Sequence, residues 1–84
     1  MELKDYRDAI DEIDKEMTAL FERRMNVVKA VGDYKREHDI KILDKSREEK
    51  VLDTVCGYLH NTDYTDALRK FYQYLMDISK MIQE

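Results

Sequence analysis

One apolar repeat governs what this chain can fold into. Leu3, Tyr6, Ile10, Ile13, Met17, Leu20, Arg24, Val27, Val31 and Tyr34 follow one another at alternating steps of three and four residues. This is the heptad pattern of a helix packed along its length against other helices. Gly32 is its only internal breaker. The spacing predicts a helix over about residues 3–36, roughly 50 Å long, whereas a compact chain of this size measures only about 30 Å across. Such a helix projects beyond its own domain, and an exposed seam of that length is an apolar liability unless a second copy covers it. The repeat therefore predicts a homodimer in which the long first helices pack together.

The rest of the chain divides into two shorter helices. Residues 37–43 (EHDIKIL) break the period and form a connection. A second helix is predicted over about 46–59, started by Asp44 or by Ser46, whose spacing to Glu49 fits a capping box. Val51, Leu52, Val55 and Leu59 give it an apolar face. HNTDYT, residues 60–65, reads as a turn in which Asp63 is the expected N-cap of a third helix over about 64–83. That helix has Ala67, Leu68, Phe71, Leu75, Ile78 and Ile82 as its core stripe. With no proline and two glycines in 84 residues, the expectation is one all-α domain of three helices over residues 1–84. So short a chain buries only about 60% of its unfolded surface and is marginal alone, which again favours oligomerisation.

Composition narrows the functional classes. A net charge of −4 argues against a nucleic-acid backbone as partner. Cys56 is the only cysteine, so no internal disulfide forms, and it reads as a small apolar residue on its helix. No zinc site is expected from the two histidines, His38 and His60, and no phosphate loop or nucleophile elbow occurs. No apolar run reaches membrane-spanning length, and MELKDY does not open a signal peptide. The expected setting is the cytoplasm, and the start at Met1 suggests a stand-alone gene product.

The anomaly in the seam is Arg24, a permanent cation in a core slot. It can fix register or lay its stem along the seam with its head in water. Yet Arg7 and Lys35 border the same face beside Tyr6 and Tyr34. Arg24 and Lys35 lie about 16 Å apart along the axis, close enough for two long side chains to grip one small molecule. Arg7 lies about 26 Å before Arg24 and cannot join them within its own chain. In an antiparallel dimer crossing near residue 18, the partner's Arg7 falls opposite residues 28 to 30, between the two. The spacing thus permits a composite pocket with cations from both subunits, suited to a small dianion. Beside it, DKSREE, residues 44–49, puts Arg47 and Glu48 at the head of the second helix, where free amides favour an anion, or where the run is simply a solvated, capped start. Gly32 marks either the close approach of a backbone or ligand, or tolerance near a helix end.

YRDAIDEID with Arg7, ERRMNVVKAVGDYK with Arg24 and Lys35, ILDKSREEKVL with Asp44, Arg47 and Glu48, and FYQYLMDISKMIQ with Ser79 and Gln83 together resemble the all-helical class of chorismate mutases. In bacteria these occur alone or fused to prephenate dehydratase or dehydrogenase. The resemblance covers nearly the whole chain, and the order and spacing of the motifs carry it. It implies an intertwined helical homodimer with two sites that rearranges chorismate to prephenate in phenylalanine and tyrosine biosynthesis. Arg24 and the other subunit's Arg7 would bind the two carboxylates. Lys35 would bridge a carboxylate and the ether oxygen, Gln83 would donate to that oxygen, and Glu48 would hold the ring hydroxyl. Asp44, Arg47 and Ser79 would complete the shell. No cofactor or metal is implied, since this Claisen rearrangement needs only a held conformer and stabilisation of growing negative charge on the ether oxygen. Isochorismate pyruvate lyase on the same scaffold is the nearer alternative; a non-catalytic helical dimerisation module is the other.

Overall fold

The structure, a computed structural model, describes all of residues 1–84. It contains α1 (Leu3–Glu37), α2 (Lys45–Gly57), a 3₁₀ turn (Thr62–Tyr64) and α3 (Thr65–Gln83), with no strand. The architecture is all-α with a very long first helix. No helix is long and apolar enough to cross a membrane.

α1 sets the shape of the molecule, which measures 54 × 24 × 16 Å. Its C-terminus closes as a Schellman turn: Ile40 N–H donates to the Lys35 carbonyl at 2.8 Å, with Asp39 between them at φ 53°. That left-handed turn sends the chain back toward α2. Of the two proposed starts for α2, Asp44 is the cap; its carboxylate accepts the Arg47 N–H at 3.1 Å and the Ser46 hydroxyl at 2.8 Å. The Ser46–Glu49 capping box does not form, because the Ser46 hydroxyl is spent on Asp44. α2 also stops two residues short of the expected end at 59. Tyr58 and Leu59 N–H bond back three residues, to Val55 and Cys56, which tightens the last turn.

The expected cap of α3 is corrected too. Asp63 caps nothing with its side chain; Asn61 accepts the Asp63 N–H at 3.0 Å and starts the 3₁₀ turn. The Thr65 hydroxyl donates to the Thr62 carbonyl at 2.8 Å, and α3 begins at Thr65 without a side-chain cap.

α3 packs on both other helices. It runs antiparallel to α2, with Arg69 near Asp53 and Lys80 near Glu48, and in the same sense as the second half of α1. Only seven residues are buried, among them Met25, Leu52, Leu75 and Met76. The expected core stripe of α3 is rotated. Leu75 is buried and Leu68 half-buried, but the other buried positions are Met76, Ser79 and Gln83, while Ala67, Phe71, Ile78 and Ile82 stay exposed. Polar Ser79 and Gln83 turn inward because they meet α1, and this carries the neighbouring apolar stripe outward. The nine apolar seam residues of α1 are likewise uncovered, from 39 % exposed at Val31 to 62 % at Leu3. Everything from Met1 to Arg23 is exposed, so the first half of α1 extends away from the body.

Candidate functional site

Arg24 lies on the border between the two faces of α1, the outward seam and the strip of Met25, Val28 and Gly32 that meets α3. From there Nη1 donates to Ser79 Oγ at 2.6 Å, and the Ser79 hydroxyl in turn donates to the Leu75 carbonyl at 2.6 Å. The Ser79 hydroxyl thus donates its one hydrogen to α3 and accepts from Arg24, so the guanidinium is held toward α3 with its remaining N–H groups free. The seam arginine is half-buried with a defined direction.

One turn past Gly32 on α1, Lys35 is half-buried and donates to the Ile42 carbonyl at 2.9 Å. This bond ties the connecting loop to the end of α1 and brings Asp44 near. The Asp44 carboxylate is held below the usual range, first by the Arg47 N–H, then by the Ser46 hydroxyl, with the Lys35 charge adding to both. The Arg47 side chain itself is exposed; its backbone, not its guanidinium, is engaged here.

Glu48, on the first turn of α2, is half-buried and forms an ion pair with Lys80 of α3 at 3.1 Å. Lys80 also reaches Asp77 at 3.3 Å. The ammonium is pushed above its ordinary range, mainly by Glu48.

Gln83 is buried, only 7 % exposed although it is the penultimate residue. Its Nε2 donates to the Ser79 carbonyl at 3.3 Å, a long bond, and its Oε1 is buried with no partner. Gly32 is the reason it fits: a Cβ there would stand 2.8 Å from both the Cα and the carbonyl oxygen of Gln83. Of the two readings of Gly32, a close backbone approach is the one observed.

The chain thus joins Arg24 to Ser79 and brings Gln83 against α1 at Gly32, three residues before Lys35. Glu48 enters from α2. Arg7 stands apart from them all, exposed on the projecting half of α1. A sizeable hollow lies elsewhere. A cavity of about 590 Å³ between α1 and α3 is lined by Met17, Leu20, Phe21, Phe71, Tyr72 and Leu75 with Asp14, Thr18 and Arg24 at its polar edge. It touches the site only through Arg24, and it continues the uncovered apolar seam.

Residues 6–84 match the family of chorismate mutase type II. The chain belongs to the chorismate mutase type II family. It is 40% identical over 50 residues to the T-protein of Haemophilus influenzae, a match that takes in 60% of this chain and 13% of that protein. The chain therefore corresponds to a small part of that longer relative. A conserved hypothetical protein from Pyrococcus furiosus has the same fold, with a TM-score of 0.80, 30% identity, and coverage of 98% of this chain and 95% of that one.

Three groups that touch these candidate residues leave no signal in the sequence: Lys80 on Glu48, Arg36 on the Gln83 carbonyl, and the Ile42 carbonyl on Lys35. Lys80 follows Ser79 directly, but nothing in the spacing pairs it with a residue 32 positions earlier. Arg36 reads as an ordinary basic residue in the last turn of a helix. A backbone carbonyl leaves no trace in the side-chain pattern.

Proposed function

We propose that this chain converts chorismate to prephenate at a site completed by a second copy. Arg24, steadied by Ser79, would bind one carboxylate, and the partner's first helix would bring Arg7 to the other. Lys35 and Gln83 would meet at the ether oxygen, where negative charge grows as the C–O bond breaks and the C–C bond forms. Preorganised donors there act on the transition state more than on the ground state. Glu48 would accept from the ring hydroxyl, oriented by Lys80, with Asp44 and Arg47 at the rim. No proton changes hands, so no group need sit near neutrality in pKa.

The observation that carries this reading is the in-chain meeting of α1 and α3 at polar groups. Arg24 with Ser79, and Gly32 with Gln83, replace apolar contacts over the stretch that Lys35 ends. A plain dimerisation module has no reason to bury a serine and a glutamine at that seam.

The dimer has its own support. The uncovered seam and the cavity beside it form one apolar surface fit for another long helix. Charge favours an antiparallel partner. Residues 3–20 carry six acidic and three basic side chains, and residues 21–37 five basic and three acidic. Antiparallel pairing sets the acidic half of each α1 against the basic half of the other.

Loss of chorismate ultraviolet absorbance on adding the protein at neutral pH tests the reading, with Arg24→Ala prepared alongside. Turnover by the wild type and its loss in a folded variant are expected. No wild-type turnover refutes the mutase; full activity in Arg24→Ala removes that residue from the site.

A further inference from the structure

The end of α3 is where a chain ordinarily frays, since the last four carbonyls of a helix lack intrahelical partners. Here it does not stand free. Arg36, in the last turn of α1, donates through Nη1 to the Gln83 carbonyl and through Nη2 to the Asp33 carboxylate. Asp33 and Arg36 are one turn apart on α1, so the carboxylate fixes the plane of the guanidinium and aims its other edge at α3. Gly32, next to Asp33, admits the Gln83 backbone at its closest approach. One short strip of α1, Gly32, Asp33 and Arg36, therefore grips the final turn of α3. Arg36 is also the sequence neighbour of Lys35.

We propose that Arg36, oriented by Asp33, is a positioning residue for Gln83. The proposal rests on the chorismate mutase reading and adds a residue to it. Lys35 and Gln83 must reach one oxygen atom from different helices. The clamp fixes Gln83 to the same turn of α1 that carries Lys35, so the two donors keep their separation without a ligand. The side chain shows the consequence. The amide is held in a buried place with Oε1 unpaired and one N–H of Nε2 uncommitted, a state a loose helix end would relax by turning to water. The amide is thus positioned but not consumed by the protein. Arg36 itself touches only protein groups and acts through the backbone of residue 83.

Arg36→Met removes the clamp, and the wild type, Arg36→Met and Arg36→Lys are compared in chorismate turnover. Misplacing one donor lowers kcat by roughly ten- to hundredfold with KM little changed, because the ether oxygen gains charge only in the transition state. Arg36→Lys, which still donates to the carbonyl, recovers part of the loss. In a Gln83→Ala background Arg36→Met has no further effect on kcat, whereas a purely structural role adds its cost in either background. Hydrogen exchange of the amides of residues 80–83 rises in Arg36→Met while the middle of α3 stays protected. If Arg36→Met does not fold, Asp33→Ala, which leaves the arginine but removes the acceptor that fixes its plane, shows a smaller loss of the same kind. Wild-type kcat in Arg36→Met or in a folded Asp33→Ala overturns the positioning role and leaves the mutase reading standing. Independent losses from Arg36→Met and Gln83→Ala overturn it as well. A wild type without turnover overturns both.

Discussion

Gln83 differs from a glutamate in carrying an amide NH2 where the acid has an ionisable hydroxyl, and that difference decides when the side chain can donate. An amide donates at any ordinary pH; a carboxyl group donates only while protonated. Gln83→Glu should therefore be active in acid and lose kcat as pH rises through the carboxyl pKa, which a pH–rate profile reads directly. A profile superposable on the wild type would separate residue 83 from the reacting oxygen. Asp44 has the opposite dependence, and it concerns stability. Its folded pKa lies below the ordinary value of 3.8 because the Arg47 N–H and the Ser46 hydroxyl favour the charged form. Its contribution is fully present above that ordinary value and is lost as pH falls through the depressed one. Asp44→Asn should thus lower Tm near pH 7, with the gap to the wild type closing under acid conditions. Thermal melts across that range check it, and a gap that widens in acid would contradict the capping geometry.

At the scale of elements, the two glycines offer opposed tests. Both lie in helices, where alanine is favoured by about 1 kcal/mol. Gly57 has open space around it, with nothing within 4 Å of where an added methyl would stand, so Gly57→Ala should raise stability by up to about 1 kcal/mol. At Gly32 the methyl would meet the Gln83 backbone at 2.8 Å, and backbone cannot swing aside as a flexible side chain does. Overpacking of this kind costs about 1–3 kcal/mol, which exceeds the propensity gain, so Gly32→Ala should destabilise the fold and reduce turnover. Denaturant midpoints for the two variants give the signs. The same contact explains what is legible in the sequence. The length of α1 and the existence of α2 and α3 follow from apolar periodicity and the loop runs between them. The rotation of α3 does not, because Ser79 and Gln83 add nothing to an apolar stripe; their inward position depends on a partner helix distant in sequence. The start of α3 is hidden for a related reason, since Asn61 and Asp63 are equally good turn residues and only the 3₁₀ geometry selects between them. Arg24, Lys35 and Glu48 stand out because they interrupt or border apolar faces, whereas Arg36 and Lys80 sit where charge is ordinary.

For the whole molecule the uncovered seam and the isolation of Arg7 are one problem. With only seven buried residues the single chain has a thin core, and its projecting half-helix supplies a cation to no site of its own. If the site takes Arg24 from one copy and Arg7 from the other, each subunit is half of two sites. Mixing experiments test this more sharply than measuring mass alone. Arg7→Ala and Arg24→Ala each disable both sites of their own dimer. Unfolded together and refolded as an equal mixture, they pair at random, and half the dimers are mixed. In a mixed dimer the unaltered Arg24 of one chain meets the unaltered Arg7 of the other at one site, while the second site carries both substitutions. Turnover should return to about a quarter of the wild-type value, from two preparations that are nearly inactive alone. A site built within one chain gives no recovery under the same treatment, because mixing never puts both arginines on one subunit. Dilution adds a control: the recovered activity should fall when subunits dissociate, in step with the dimer fraction measured by sedimentation.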